Sequence, residues 1–119
     1  MPWIFGGKSS PAAGDVILQV DAYGPYEVIA VYGLMVSNIS TAAKKYALQR
    51  YRRDTGGVRE VFRIVVPANS TVSIISPYDP LTDNVGAIEP AWQESVRVVA
   101  VDGGETYVQA GLLVRGRWA

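Results

Sequence analysis

From Asp15 onward, runs of β-branched and aromatic residues alternate with clusters of glycine, proline, asparagine and serine, and this punctuation limits the possible folds more than any other feature. The runs span 16–22, 26–38, 58–66, 71–75, 96–101 and 106–114. Between them lie Gly24-Pro25, Gly56-Gly57, Pro67-Ala68-Asn69-Ser70, the loop 76–94 and Gly103-Gly104. Glycine and asparagine supply the positive φ of tight turns, and apolar runs this short suit strands better than helices. Six such runs predict an all-β chain, an antiparallel β-sandwich with a jelly-roll-like arrangement. With 119 residues and no repeat or flexible linker, residues 15–119 are expected to form a single domain.

The pattern within the runs says which faces are buried. In 106–114, Thr106, Val108, Ala110, Leu112 and Val114 share one face, while Tyr107, Gln109, Leu113, Arg115 and Arg117 take the other. The run 28–36 behaves differently: Val28, Ala30, Tyr32, Leu34 and Val36 fall on one side, and Ile29, Val31 and Met35 on the other. Val96 to Val101 likewise places valine on both faces. A two-layer sandwich buries one face of each sheet, so the second apolar face is expected to meet the chain's own loops or another copy. Composition favours the second cover, because 49% of residues are hydrophobic, only 18% are charged and the formal net charge is zero. Average chains carry about 25% charged residues, and near-neutral monomers tend to associate.

Two segments admit more than one reading. Residues 1–14 combine two prolines and small residues with Trp3, Ile4 and Phe5, a composition that suits an extended N-terminal arm. Such an arm is either a frayed tail or, since three large apolar side chains are a liability in water, a strap that docks on a neighbour. The segment "STAAKKYALQRYRRD" has a possible N-cap at Ser40 or Thr41 followed by good helix formers. It also ends at Asp54-Thr55-Gly56-Gly57, a hairpin-like turn that would pair 44–53 with 58–66, and the strand is the favoured assignment for 41–54.

Cysteine and histidine are both absent, which removes disulfides, cysteine metal sites, the commonest metal ligand and the commonest general base. A nucleophile without either would need Ser or Thr with Lys, or paired carboxylates, and nothing singles out such a set. The chain is therefore expected not to be an enzyme, with no catalytic, cofactor-binding or metal-ligating residues. Loop 76–94 holds Asp79, Asp83, Asn84 and Glu89, potential oxygen ligands for Ca²⁺ or a glycosidase-like pair, but the spacing fits no EF-hand and three prolines mark a surface loop. The sequons at Asn38 and Asn69 read more simply as turns. No apolar run approaches about 18 residues and no signal peptide is recognisable, so membrane partners are not expected and the chain is expected to be made in the cytoplasm.

Aromatic and charged residues suggest contacts. Trp3, Trp92 and Trp118, with seven tyrosines, suit either a sugar-stacking platform or protein interfaces, and the terminal positions of Trp3 and Trp118 favour the interface. Residues 44–63 hold seven cations against two anions, whereas 64–105 hold six anions against one cation. The basic stretch, interleaved with Tyr46, Tyr51 and Phe62, has the look of a single-strand nucleic-acid binder. Opposite patches on one small domain fit better a head-to-tail homo-oligomer that closes as a ring, such as a trimer, and no nucleic acid is expected. The expected interface residues are Trp3, Ile4, Phe5, Ile29, Val31, Met35, Arg50, Arg52, Trp92 and Trp118.

The order of features also carries a resemblance. A strand closing in "VSNIS", a polar pairing with a Gly-Gly turn, then "FRIVVPANSTVSI", a loop, and "ESVRVVAVDGGETYVQAGLLV" resembles the small β-sandwich virion proteins of tailed bacteriophages over roughly 26–114. Many of these are head decoration (cement) proteins, commonly trimeric jelly rolls with an extended arm, and others belong to the tail or its fibres. The chain departs from the pattern at 78–93, where a longer acidic loop replaces a short approach. The resemblance implies a structural protein located in the virion that bridges neighbouring subunits of the major capsid protein or another virion protein. The alternative is a tail- or fibre-associated module that binds a host glycan or another tail protein.

Overall fold

In the computed structural model, which describes residues 2–22 and 28–116, the alternating run at 106–114 becomes the second strand of a four-stranded antiparallel sheet. That sheet is ordered β1 (Trp3–Ser9), β10 (Tyr107–Gly116), β3 (Val28–Ile39), β6 (Ser70–Ile75). A second four-stranded sheet is ordered β2 (Val16–Asp21), β9 (Glu94–Ala100), β4 (Lys44–Arg52), β5 (Val58–Val66). A short hairpin, β7 (Tyr78–Asp79) with β8 (Asn84–Val85), sits in the long loop. Apart from the β4–β5 hairpin, each consecutive pair of long strands lies in opposite sheets, the winding of an eight-stranded jelly roll. The chain is thus an all-β sandwich of antiparallel sheets, as its sequence predicts.

The core lies between the sheets. Leu34, Val36, Val108, Ala110, Leu112 and Val114 from the first sheet meet Leu18, Val20, Tyr46, Leu48, Val66, Val96, Val98 and Ala100 from the second, all buried. The alternation within β10 therefore reports the core face correctly. The segment 44–52 is strand β4: Tyr46, Leu48 and Arg50 point inward at a two-residue period, and tertiary pairing with β5 and β9 outweighs the local helix propensity.

Two expectations need correction. Residues 3–9 are not an arm, because β1 pairs with β10 from Trp3↔Leu113 to Ser9↔Tyr107 and Ile4 packs against the core. The backbone partners of β1 are about a hundred residues away in sequence, so no local signal announces the strand. Val31 is not on the outer face. Register shifts in β3 against β10 leave Tyr32 and Ile29 as extra residues, and each shift exchanges the faces of the residues beyond it. Val31 is fully buried, held by reciprocal backbone bonds with Ile88 (2.8 and 2.9 Å), while Ile29 is half-buried. Loop 76–94 is correspondingly more than a surface excursion, since Asp79, Ala87 and Ile88 are all buried.

Candidate functional site

The outer face of the first sheet is built in rows that the strand register defines. Trp3, Leu113, Gly33 and Ile75 form one row; Phe5, Gly111, Met35 and Ser73 the next; Gly7, Gln109, Ser37 and Thr71 the third; Ser9, Tyr107 and Ile39 the last. None of these residues is charged. Phe5, Ile39 and Ile75 are about half exposed, at 49%, 48% and 58%.

Glycines shape this face. Trp3 and Phe5 lie nearly parallel, 19° apart with ring centroids 6.1 Å from one another. A Cβ on Gly111 would meet Phe5 Cε1 at 2.7 Å and Trp3 Cε3 at 3.3 Å, and one on Gly33 would meet Trp3 Cη2 at 3.3 Å. Both rings therefore lie down over bare backbone, and a side chain at either glycine would lift them. At the far end, Tyr107 Oη occupies the space beside Gly7, where an added Cβ would be only 2.0 Å away. Ser37 Oγ and Thr71 Oγ1 share a hydrogen bond of 2.7 Å across β3 and β6.

The outer face of the second sheet has the opposite character. Arg97 stacks over Tyr51 at 4.4 Å and donates to Gln49 (3.0 Å). Arg63 pairs with Glu60 (2.8 Å), Ser95 donates to Asp21 (2.5 Å), Arg53 donates to Ser95 (3.0 Å), and Lys45 faces Asp102 (3.8 Å). The two charge blocks expected to attract a neighbouring copy are joined within one chain by Lys45 with Asp102 and Arg50 with Asp79 and Glu94, while Arg52 and Arg63 pair with Asp54 and Glu60 of their own block. Charges already paired within the chain offer less field to a second molecule than the bare sequence counts imply.

Of the expected interface residues, Trp3, Phe5 and Met35 converge on the first sheet's outer face. Ile4 points to the core and Ile29 sits at a bulge. Arg50 is interior, a further correction: its guanidinium pairs with Asp79 and Glu94 and donates to the Glu89 carbonyl at 3.0 Å. Asp79 also accepts from the Leu81 amide, and Glu94 from the Ala91 amide, both at 3.0 Å, so Arg50 clasps loop 76–94 to the second sheet. Arg52 is exposed, in a bidentate pair with Asp54 that holds the Arg52 guanidinium more firmly protonated and the Asp54 carboxyl below its ordinary range. Trp92 is exposed in loop 76–94, and Trp118 lies outside the described residues. Sequence reasoning missed Leu113, Tyr107, Ile39, Ile75, Gly33 and Gly111 as parts of one face. Glycines inside strong strands were the available signal, since they mark places where something approaches the backbone closely.

Two further polar groups lie inside. Asn38 donates to the carbonyls of Ala42 (2.9 Å) and Val66 (3.1 Å) and accepts from Ser40 (2.6 Å), tying the β3–β4 turn to the end of β5. Tyr46 donates to Glu105 at 2.6 Å in a buried pair. Burial first, and then the Glu105 carboxylate, raise the Tyr46 phenol well above its ordinary value. Asp83, one of the loop's potential oxygen ligands, accepts from Tyr78 at 2.6 Å, as Asp79 does from Arg50. Among the described residues, no three acidic side chains gather where they could hold an ion.

No protein-family model matches the sequence, and no curated protein matches it either. Solved structures share its fold. PirA is similar over 92% of this chain and 93% of its own, with a TM-score of 0.54 and 18% identity. A xylan-binding domain of the CBM22 type is similar over 82% of this chain and 64% of its own, with a TM-score of 0.50 and 17% identity. The CBM22-1–GH10 portion of Clostridium thermocellum xylanase 10B, complexed with xylohexaose, gives a TM-score of 0.52 and 9% identity over 98% of this chain and 25% of its own. At these identities the likeness is one of β-sandwich architecture.

Proposed function

We propose that the chain is a structural protein of a tailed-bacteriophage particle, a head decoration protein that docks on capsid subunits through the outer face of its first sheet. The observation that carries this reading is that face: Trp3, Phe5, Met35, Leu113, Ile39 and Ile75 among neutral polar residues, with its charge confined to Arg115 at the margin beyond Leu113 among the described residues. Loss of charge and enrichment in aromatics and Met characterise the buried centre of protein interfaces, not a face kept in water. The sequence resemblance to phage virion β-sandwiches supplies the partner class. The role is mechanical rather than catalytic: apolar area buried between subunits makes the assembled shell harder to separate. Antibody labelling of particles made by the phage that encodes the chain tests the location. Labelled heads support the reading, and labelled tails or unlabelled particles overturn it.

A second reading rests on the ring geometry. Two nearly parallel rings laid flat over glycine, beside Ser37, Thr71, Ser73 and Gln109, suit stacking and hydrogen bonding to a neutral sugar chain, and a xylan-binding domain shares the fold. In that case the chain is a tail- or fibre-associated module. Titration with xylohexaose and a glycan array, with Trp3→Ala as control, separates the readings: saturable binding lost in the variant favours the glycan.

A further inference from the structure

We propose that β6 is the pairing edge of a two-fold dimer, in which a second copy of this chain continues the first sheet into eight strands. The inference rests on the reading of that sheet's outer face as an associating surface, and adds a partner and a geometry.

A sandwich of two open sheets has four edge strands, and three of them are defended. β2 carries a register shift at Ile17 and ends on Asp21. β5 carries a shift at Val61 and the charges Arg59, Glu60 and Arg63. β1 has Gly6 and Gly7 in its middle and Lys8 bridged to Asp15 at 3.0 Å. Bulges, charges and irregular backbone are the usual means by which an edge avoids pairing with another chain. β6, Ser-Thr-Val-Ser-Ile-Ile, has no charge, no proline, no glycine and an unbroken register with β3 from Ser70 to Ile75.

Its hydrogen-bonding parity says what the edge offers. The Ser76 amide donates to the Tyr32 carbonyl at 2.8 Å, in register with Gly33↔Ile75. Even-numbered residues of this strand therefore bond to β3, and Thr71, Ser73 and Ile75 turn their amides and carbonyls outward. All three are exposed, and among the described residues no strand other than β3 pairs with β6. An antiparallel two-fold centred on Ser73 sets Ser73 opposite its own counterpart and Thr71 opposite Ile75 of the second copy. The three outward residues of each strand then exchange about six backbone bonds. Because β6 is uncharged, meeting itself creates no like-charge contact, which β5 would not avoid. The row Trp3, Leu113, Gly33, Ile75 ends at this seam, so pairing covers Ile75 and joins the two apolar faces into one. Such a contact is isologous and closes at two subunits, in place of a threefold ring.

The absence of cysteine makes the test clean. A directly opposed hydrogen-bonded pair has Cα atoms about 5.5 Å apart, inside the range of about 4.4–6.8 Å that a disulfide spans. Ser73→Cys is expected to give a reducible covalent dimer under mild oxidation, at least tenfold more abundant than from Thr71→Cys, while Thr71→Cys/Ile75→Cys cross-links as well as Ser73→Cys does. Sedimentation should give a dimer for the unmodified chain and a monomer with unchanged circular dichroism for Ser73→Lys. A monomeric or trimeric unmodified chain, or equal cross-linking of Ser73→Cys and Thr71→Cys, overturns the dimer. Particle binding is read separately: a monomer that still labels heads removes the dimer and leaves the docking face standing, whereas a cross-linked dimer that labels nothing removes the docking role alone.

Discussion

The two sheets of the sandwich bury their inner faces in the same way and differ in what they show to the outside. On the second sheet, charged and polar side chains on the outer face are engaged with neighbours in the same chain, Arg97 with Tyr51 and Gln49, Arg63 with Glu60, Arg53 and Asp21 with Ser95, and exposed apolar side chains are confined to valines of the edge strand β5, Val58 and Val65, among the described residues. On the first, the four rows carry aromatic, aliphatic, glycine and neutral polar residues, with Arg115 at the margin, and contacts such as Ser37 with Thr71 and Trp3 with Phe5 tie them together. A face whose polar groups are satisfied internally has little to gain from a partner. A face that holds half-exposed apolar side chains has apolar area to remove from water, about 25 cal/mol for each Å² covered. The difference is why the proposed docking is assigned to one side of this fold, although the bulk net charge and hydrophobicity describe both sides at once.

The comparison predicts a split: changes on the second sheet cost stability, and changes on the first sheet's outer face cost association. The largest effect belongs to Arg50. Replacing it by Ala leaves Asp79 and Glu94 buried without their cation and should cost about 3–5 kcal/mol in chemical denaturation, as removal of one partner of a buried pair does. Arg50→Met, which fills the same space without a charge, does not restore partners to the two carboxylates and should remain destabilised. A loss below about 1 kcal/mol would mean that the clasp on loop 76–94 is dispensable.

Next in size is an alkaline effect centred on Tyr46. Its folded phenol titrates above the ordinary value of 10.0, so the unfolded chain releases a proton first as pH rises. Stability from this group is complete below that pH and should fall by up to about 1.4 kcal/mol per pH unit above it. Denaturation followed from pH 8 to 11 should show this slope in the native chain and a shallower one in Tyr46→Phe.

Smaller effects separate the two faces. Gly111→Ala places a Cβ 2.7 Å from Phe5 Cε1 and should tilt the ring pair, weakening particle or sugar binding severalfold while shifting stability by roughly 1 kcal/mol. Arg63→Ala, on the second sheet, breaks an exposed pair and should change stability by less than about 1 kcal/mol, with binding untouched. Paired melting curves and binding isotherms of the two variants check both statements.

Much of the architecture was readable in the chain because it is local. The two-residue period of Val108, Ala110, Leu112 and Val114 reports a core-facing strand, and Asp54-Thr55-Gly56-Gly57 marks the hairpin that decides 44–52 as strand. What was hidden depends on distant partners. β1 exists only because β10 lies beside it, and Val31 turns inward only because bulges in β3 shift the register and Ile88 arrives from the loop. Arg50 looked like a surface cation because strand periodicity does not reveal that Asp79 and Glu94 meet it inside. The candidate face was half legible: Trp3, Phe5 and Met35 were named, but the rows that join them to Leu113, Tyr107 and Ile75 emerge only from the register.

The split between the faces is tested most directly by placing one charge on each and measuring association. Met35→Lys on the first sheet and Gln49→Lys on the second both sit mid-strand on an outer face. In particle-binding measurements at equal concentration, Met35→Lys should lose binding at least tenfold while Gln49→Lys behaves as the native chain. Equal binding by both variants, or loss confined to Gln49→Lys, would contradict the assignment of docking to the first sheet.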